Sequence, residues 1–373
     1  MKEGWEYKAL GECCDILDAQ RKPIKKDKRV RGTIPYYGAT GLLDYVKDYI
    51  FDETLVLLGE DGAKWGAGEA SAYEISGKSW VNNHAHVLRP NKDEIINAWL
   101  IYYLNYANLM PYIKGVTVPK LNQQRMSSIR VPIPPLSEQQ RIVSYLDSAF
   151  AKIDAVAKNA EASLNEAKAL FQSALAKMME PKEGWEEVTL DNICSIESTL
   201  VDPTDDNYNN LLHVGGANIE SYTGRLINLM TAKDERLTSG KYLFDSNVVL
   251  YNKVRPYLVK VARPDFNGLC SADMYPLTPK KETTREFLYY LLIKKEFTNY
   301  AIKCSARAGM PKINRNSLFA YKASIPLNRK EQIRIVSTLD NIRKVLMHLE
   351  SNLSRTLTEC TALKQAILRQ TFE

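Results

Sequence analysis

With 373 residues, 45% of them hydrophobic and 25% charged, the chain has the make-up of a globular protein of two or three domains, which excludes a disordered or low-complexity polymer. No apolar run approaches the ~20 residues of a membrane span, and the opening MKEGWEYKALGECCDI lacks a signal-peptide core, so a cytoplasmic location is expected. The six cysteines form no CxxC pair, which argues against a zinc ribbon or a secreted disulfide framework, and the net charge of +6 permits nucleic-acid binding without requiring it.

The first block, residues 1–136, carries 18 Lys/Arg against 16 Asp/Glu. Its basic residues concentrate in Arg21-Lys22-Pro23-Ile24-Lys25-Lys26-Asp27-Lys28-Arg29-Val30-Arg31, followed by Tyr36-Tyr37-Gly38. Cations for phosphates beside aromatics for bases or sugars make Arg21, Lys22, Lys25, Lys26, Tyr36 and Tyr37 candidate DNA contacts; the bland reading is a solvated lysine loop. TLVLLG (54–59) and AHVLRP (85–90) read as strands, and Ile95–Ile113 as a helix. Gly59-Glu60-Asp61-Gly62-Ala63-Lys64 sets acids near a lysine, as nucleases do, but the residue two before Lys64 is a glycine, which disfavours a metal-dependent nuclease centre.

Asn82-Asn83-His84 is a further candidate for base or phosphate contact, because asparagine pairs with adenine in the major groove; turn residues satisfying backbone groups are the equal alternative. His84 and His86 would share one face of an extended segment, as metal ligands do, yet no third or fourth ligand stands nearby and no metal is expected. Pro119-Lys120-Leu121-Asn122 reads as a turn capped by Asn before a short helix, with Lys120 a candidate sequence-independent phosphate contact and structural use alone the equal alternative.

Residues 137–181 form one long helix. Ile142, Leu146, Ala149, Ile153, Val156, Ala160, Ser163, Ala167, Leu170 and Ala174 step alternately by four and three, the 3.5-residue period of a coiled-coil seam. Ser137 with Gln140 reads as a capping box, and Pro181 as the stop. The second block, residues 182–327, has 19 Lys/Arg against 17 Asp/Glu. VVLYNK (248–253) and YLVKVAR (257–263) read as a strand pair and Arg285–Ile302 as a helix. Lys253, Arg255, Tyr257, Lys260 and Arg263 would then alternate across the hairpin, making one face basic; Lys253, Arg255 and Tyr257 are candidate DNA contacts, with ordinary edge-strand charge as the alternative. Lys312 sits in Pro311-Lys312-Ile313-Asn314, the counterpart of Lys120.

Residues 328–373 repeat the long helix. Asn328 with Glu331 supplies a capping box, and Ile335, Leu339, Ile342, Leu346, Leu349, Leu353, Thr356, Cys360, Leu363 and Ile367 repeat the seam. Two matched seams suggest each other as partners; the bland alternative is two amphipathic helices packed separately on the blocks, or pairing with other chains. Run antiparallel with Ile142 beside Ile367 and Ala174 beside Ile335, they set small residues of the first helix against large ones of the second. Ten seam positions cover roughly 48 Å at about 1.5 Å per residue, against a ~34–36 Å repeat of duplex DNA.

The whole unit is duplicated. KEGWEYKALGECCDI (from Lys2) answers KEGWEEVTLDNICSI (from Lys182), VPKLN (118–122) answers MPKIN (310–314), and IPPLSEQQRIVSYLD (133–147) answers IPLNRKEQIRIVSTLD (325–340). The helices match in register while the block interiors barely match, which suggests one frame carrying two different readers. The fold class expected is mixed α/β: two globular blocks separated by two long helices in an antiparallel coiled coil, with a pseudo-two-fold internal repeat.

This order of block, IPPLSEQQRIVSYLD helix, second block and IPLNRKEQIRIVSTLD helix resembles the specificity (S) subunit of type I restriction-modification systems over the whole chain. The resemblance implies that the blocks 1–136 and 182–327 are target recognition domains, each reading one half of a split double-stranded DNA target. It also implies that the helices 137–181 and 328–373 are spacers that set the gap and help dock two methyltransferase (M) subunits, with restriction (R) subunits completing the nuclease. S-adenosylmethionine, ATP and Mg are then expected on the partner subunits and no cofactor on this chain. The residues agree with a non-catalytic role. The only double proline, Pro134-Pro135, lacks the polar and aromatic flanks of an amino-methyltransferase loop, and no GxxxxGK[ST] phosphate loop is present. The alternative from another class is a coiled-coil scaffold that bridges protein partners without binding DNA.

Overall fold

The computed structural model describes residues 4–115, 117–305 and 309–373, in two compact units: Met1–Glu161 with Leu353–Glu373, and Ala162–Asn352. Lys2 and Glu3, which open the first copy of the repeat, lie outside the described residues. No described helix is long and apolar enough to cross a membrane. The six cysteines are free, four of them buried.

The first unit runs β1 (Glu6–Ala9), α1 (Leu10–Cys13), β2 (Cys14–Ile16), β3 (Arg31–Gly38), β4 (Gly41–Val46), β5 (Phe51–Asp52), β6 (Leu55–Gly59), β7 (Ala72–Ile75), β8 (Lys78–Val81), β9 (Ala85–Pro90), α2 (Asn97–Tyr106), α3 (Gln123–Ser127), β10 (Arg130–Ile133) and then α4 (Leu136–Met178), of which it holds the part up to Glu161. β6 is an unbroken apolar run, and every residue of it is buried, so it takes the interior of the sheet ordered β2-β9-β6-β7. A second sheet is ordered β4-β3-β8-β5, with β3 and β8 parallel. β1 pairs antiparallel with β10, so the strands that open and close the block lie side by side where α4 leaves it.

The second unit repeats this plan with β11 (Trp185–Thr189), α5 (Leu190–Ile193), β12 (Cys194–Ser195), β13 (Leu200–Val201), β14 (Leu212–Val214), β15 (Met230–Thr231), β16 (Lys241–Phe244), β17 (Val249–Asn252), β18 (Val261–Ala262), β19 (Gly268–Cys270), β20 (Met274–Pro279), α6 (Arg285–Ile293), α7 (Lys295–Cys304), α8 (Arg315–Phe319), β21 (Lys322–Pro326) and α9 (Arg329–Phe372), of which Leu353 onward belongs to the first unit. Its sheets are ordered β12-β20-β17-β18 and β13-β16-β19-β14-β15, and β11 pairs with β21. Strand for strand this is the first unit's topology with β13 added, down to the parallel pair, β14 with β19. The mixed α/β class and the internal repeat expected from the sequence are both present.

Within each unit the two long helices pack antiparallel. In the first, Lys364 Nζ meets Asp154 Oδ1 at 2.5 Å and lies over the Phe150 ring, while Leu368 and Phe372 share a core with Ile142, Val143 and Leu146. In the second, Lys168 meets Glu350 at 3.8 Å, and Phe171, Leu175 and Met179 share a core with Ile335, Val336 and Leu339. The expected register is corrected by these pairs. With Ile142 beside Ile367, Asp154 would have faced Arg355 instead of Lys364, a displacement of about two and a half turns. Complementary side-chain size left the register open. What fixes it is the docking of the helix ends on the blocks: Phe372 sits 5.0 Å from Trp99, 5.4 Å from Tyr103 and 5.2 Å from Tyr106, centroid to centroid.

The seam is corrected as well. Ile142, Leu146, Ile153, Ile335 and Leu339 are buried and Leu346, Leu353 and Ile367 half-buried, but Val156 is 49% exposed, Leu170 71%, Leu349 36% and Leu363 51%. Beyond Ile153 the buried residues of this helix are Ala160, Phe171 and Leu175, followed by Met179, with Ala157, Leu164, Ala167 and Ala174 half-buried. A straight α-helix drifts about 20° per heptad from a strict 3.5 repeat, so over four heptads the buried stripe slips to the following residue.

Three local expectations also change. The helix over Ile95–Ile113 ends at Tyr106, where Ala107 turns extended and Asn108 accepts from the Met110 amide to start a short 3₁₀ turn. The helix over Arg285–Ile302 breaks at Lys294, which is extended at ψ 140 and donates to the Met179 carbonyl at 3.0 Å. Ser137 is not a cap, because α4 begins at Leu136 and the Pro135 carbonyl accepts from Glu138 and Gln139; Asn328 does cap α9, accepting from the Lys330 amide, whereas Glu331 accepts from Trp185.

Candidate nucleic-acid interface

The basic segment of the first block is a built loop. Arg29 stacks 4.4 Å over the Tyr36 ring and donates to Asp44 at 3.0 Å, the Tyr36 hydroxyl accepts from the Ile24 amide at 3.0 Å, and Trp80 donates to the Lys22 carbonyl at 2.7 Å. Tyr36 is therefore buried at 1% exposure beneath the loop and unavailable to a base. Tyr37 is half-buried, its ring 6.1 Å from Tyr73. Arg21 is likewise consumed internally, against Glu60 at 2.5 Å, Asp18 at 3.2 Å and the Ala85 carbonyl at 2.8 Å. Lys22, Lys25 and Lys26 stay exposed, as do Lys28, Arg31 and Lys47. Tyr45 and Tyr49, 49% and 47% exposed, stand on and just beyond β4. These two aromatics and Lys47 escaped the sequence reading; the aromatics flanking a lysine in Tyr45-Val46-Lys47-Asp48-Tyr49 were the signal for them.

Asn82 is 3% exposed, and its side chain accepts from the His84 amide at 2.8 Å, so the turn reading holds for it; Asn83 and His84 are exposed. His84 and His86 do not share a face. His84 lies in the turn before β9, 2.5 Å from Asp61, whereas His86, inside the strand, is fully buried, so strand alternation does not govern the pair.

Both copies of the Pro-Lys-Leu/Ile-Asn motif are capped turns. Asn122 accepts from the Arg125 amide at 2.9 Å and Asn314 from the Ser317 amide at 2.8 Å, each opening a short helix. The lysines are held by acids: Lys120 lies 2.7 Å from Glu60, a bond that raises its pKa, and Lys312 lies 2.8 Å from Asp273, a bond that lowers that carboxyl's. Burial works against the Glu60 charge, but Lys120 and Arg21 together outweigh it and keep the carboxyl below its ordinary range.

The strand pair expected in the second block forms, β17 antiparallel to a β18 of two residues, but its basic face does not: Tyr257 lies in a 3₁₀ turn, Pro256–Leu258, between the strands. Lys253 folds inward to the Ala272 carbonyl at 2.5 Å and over Tyr275, and its burial lowers its pKa. Lys260 donates to the Gly216 carbonyl, and Arg263 pairs with Asp340 at 2.8 Å. Arg255 and Tyr257 remain exposed. Arg255 and Val259 both take the left-handed conformation, as do Tyr222, Asn228 and Arg236; these five are the non-glycine cases among the described residues, and all lie in this block. Such strained backbone gathers where a loop must hold one shape, and sequence patterns carry no sign of it.

Matched positions of the two blocks carry different chemistry on one backbone. Register places Cys14 opposite Pro90 and Cys194 opposite Pro279, so His86 corresponds to Tyr275 and His84 to Asp273. The Leu121 amide donates to the Glu60 carbonyl and the Ile313 amide to the Lys253 carbonyl, so Glu60 corresponds to Lys253. The hairpin β3–β4 turns in two residues, while β14 and β15 are joined by residues 215–229. The molecule is thus a duplicated recognition frame with divergent surfaces.

The model of the type I restriction modification DNA specificity domain matches residues 2–166 and 182–359, and the chain belongs to this family, that of type I restriction-modification specificity subunits. It is 26% identical to the type I restriction enzyme EcoDI specificity subunit of Escherichia coli, over 99% of this chain and 88% of that protein. A putative type I specificity subunit of Haemophilus influenzae is 40% identical over 39% of this chain and 37% of its own length. A solved chain from work on complex assembly and conformational transition of the type I R-M system has the same fold at a TM-score of 0.71 and 17% identity, covering 100% of this chain and 98% of that one.

Proposed function

We propose that the chain reads a bipartite DNA target, one half through residues 1–136 and the other through residues 182–327, and performs no catalysis itself. The spacers 137–181 and 328–373 hold the gap and carry the docking surface for M subunits, two per chain, and the complex recruits R subunits. S-adenosylmethionine, ATP and Mg act on those partners, in the cytoplasm. The observation that carries this reading is the pairing of a repeated frame with a divergent surface: His84 against Asp273, both exposed, and a two-residue turn against residues 215–229. One frame with unlike contact residues suits two unlike half-sites, since phosphate contacts position and base contacts specify.

The test is methylome sequencing of cells expressing the chain with its M subunit, before and after residues 1–136 are exchanged for another family block. A split motif of which one half alone changes supports the reading. Loss of both halves with the fold intact overturns it, and absence of salt-dependent duplex binding would leave the protein scaffold instead.

A further inference from the structure

Beneath the basic segment of the first block lies a charge cluster that the proposed reading does not use. His86 is fully buried, with Nδ1 2.6 Å from Asp18 Oδ2 and Nε2 2.7 Å from the Leu121 carbonyl oxygen. A carbonyl oxygen only accepts, so Nε2 carries a proton. Asp18 Oδ2 also lies 3.2 Å from the Arg21 guanidinium, and Asp18 Oδ1 accepts from the Val87 amide at 2.9 Å; these are contacts of a carboxylate, which again only accepts. Nδ1 must then donate too. We propose that His86 is a buried imidazolium and that its charge is the positioning device that holds the root of the basic segment.

The groups facing it fit. Asp18 and Arg21 come from the segment after β2, Glu60 and Asp61 from the end of β6, and Lys120 from the capped turn. His84 is exposed and turns to Asp61. Glu60 takes Lys120 at 2.7 Å and Arg21 at 2.5 Å, and Asp61 has His84 at 2.5 Å and Lys120 at 4.0 Å; with a neutral imidazole the buried Asp18 would have only the shared Arg21 at 3.2 Å. The second block shows the same bond without the charge: Tyr275, in the place of His86, donates its hydroxyl to the Ile313 carbonyl at 3.3 Å, Ser198 stands at the place of Asp18, and no Asp or Glu is buried among the described residues of this block. One acceptor needs one donor; two acceptors on opposite sides of a ring need the imidazolium.

The first test is ¹⁵N-histidine NMR of the full chain, whose four histidines give four imidazoles. The expected result is one imidazole with both nitrogens protonated at neutral pH, its signal absent from His86→Tyr. An unprotonated nitrogen on His86 overturns the proposal. The second test rests on the reading of DNA by this block and uses the chain assembled with M subunits on duplexes carrying the mapped target with either half scrambled. His86→Tyr keeps the carbonyl bond but strands Asp18, and is expected to weaken recognition through the first block about ten-fold, leave the second unchanged, and be largely rescued by Asp18→Asn in the same chain. Unchanged binding by His86→Tyr rejects the positioning role. If the assembled wild type binds neither half, the functional reading fails while the NMR result stands by itself.

Discussion

Gln139 and Gln332 make one set of hydrogen bonds in two places. Gln139 donates to the carbonyls of Glu94 and Pro134 and accepts from the Ile96 amide; Gln332 donates to those of Glu282 and Pro326 and accepts from the Thr284 amide, and both are fully buried. Each clamps the first turn of a long helix to the strand before it and to the N-terminal end of the block helix. A second repeated bond lies two turns on, where Tyr102 donates to Asp147 and Tyr290 to Asp340, both at 2.6 Å.

Gln139→Ala or Gln332→Ala removes the partner of one buried carbonyl, Pro134 or Pro326, and of a second carbonyl and an amide beside it, and each is expected to cost about 1–3 kcal/mol. Urea unfolding of the single variants measures it. A loss below about 0.5 kcal/mol would mean that the clamp is dispensable.

The shifted seam separates neighbours on one helix. Leu170→Gln is expected to stay within about 0.5 kcal/mol of wild type, because the side chain is exposed, whereas Phe171→Ala should cost about 3–5 kcal/mol. The reverse order in thermal unfolding would restore the strict 3.5-residue seam.

Acid should loosen the second block's helix junction. Burial disfavours the Asp340 charge, but hydrogen bonds from Arg263 and Tyr290 outweigh it, so the folded carboxyl sits below its ordinary value. A depressed folded pKa gives stability that is complete above the unfolded value of about 4 and disappears as pH falls through the folded value. The stability gap between wild type and Asp340→Asn is therefore expected to be widest near neutrality and to close in acid, read from urea midpoints across pH.

Exposed and internal cations of one loop should part company. Lys25→Ala with Lys26→Ala is expected to reduce the slope of log affinity for duplex DNA against log salt by about one to two units without changing stability. Arg21→Ala is expected to act on stability, by about 2–4 kcal/mol, since it leaves Asp18 and Glu60 under-compensated.

Much of the architecture was legible in the chain because it rests on repetition. Two copies of a proline-led Glu-Gln entry into a helical repeat announce two blocks on two helices, and a buried strand such as Leu55–Gly59 declares itself by an unbroken apolar run. Periodicity also shows that each helix has an apolar stripe. It does not say which residue leads after four heptads, since that depends on supercoil, nor which register two such stripes adopt, since apolar contact is nearly indifferent to sliding. Phe372 among Trp99, Tyr103 and Tyr106 and the ion pair of Lys364 with Asp154 decide the register, and both join residues remote in sequence. The candidate interface divides the same way. The abundance of cations is a property of composition, but whether a cation reaches solvent is a property of its neighbours: Lys25 faces water, while Arg21, four residues earlier, is spent on Asp18 and Glu60. Charge is written in the sequence; its availability is set by the fold, because a buried acid takes the nearest cation before any phosphate can.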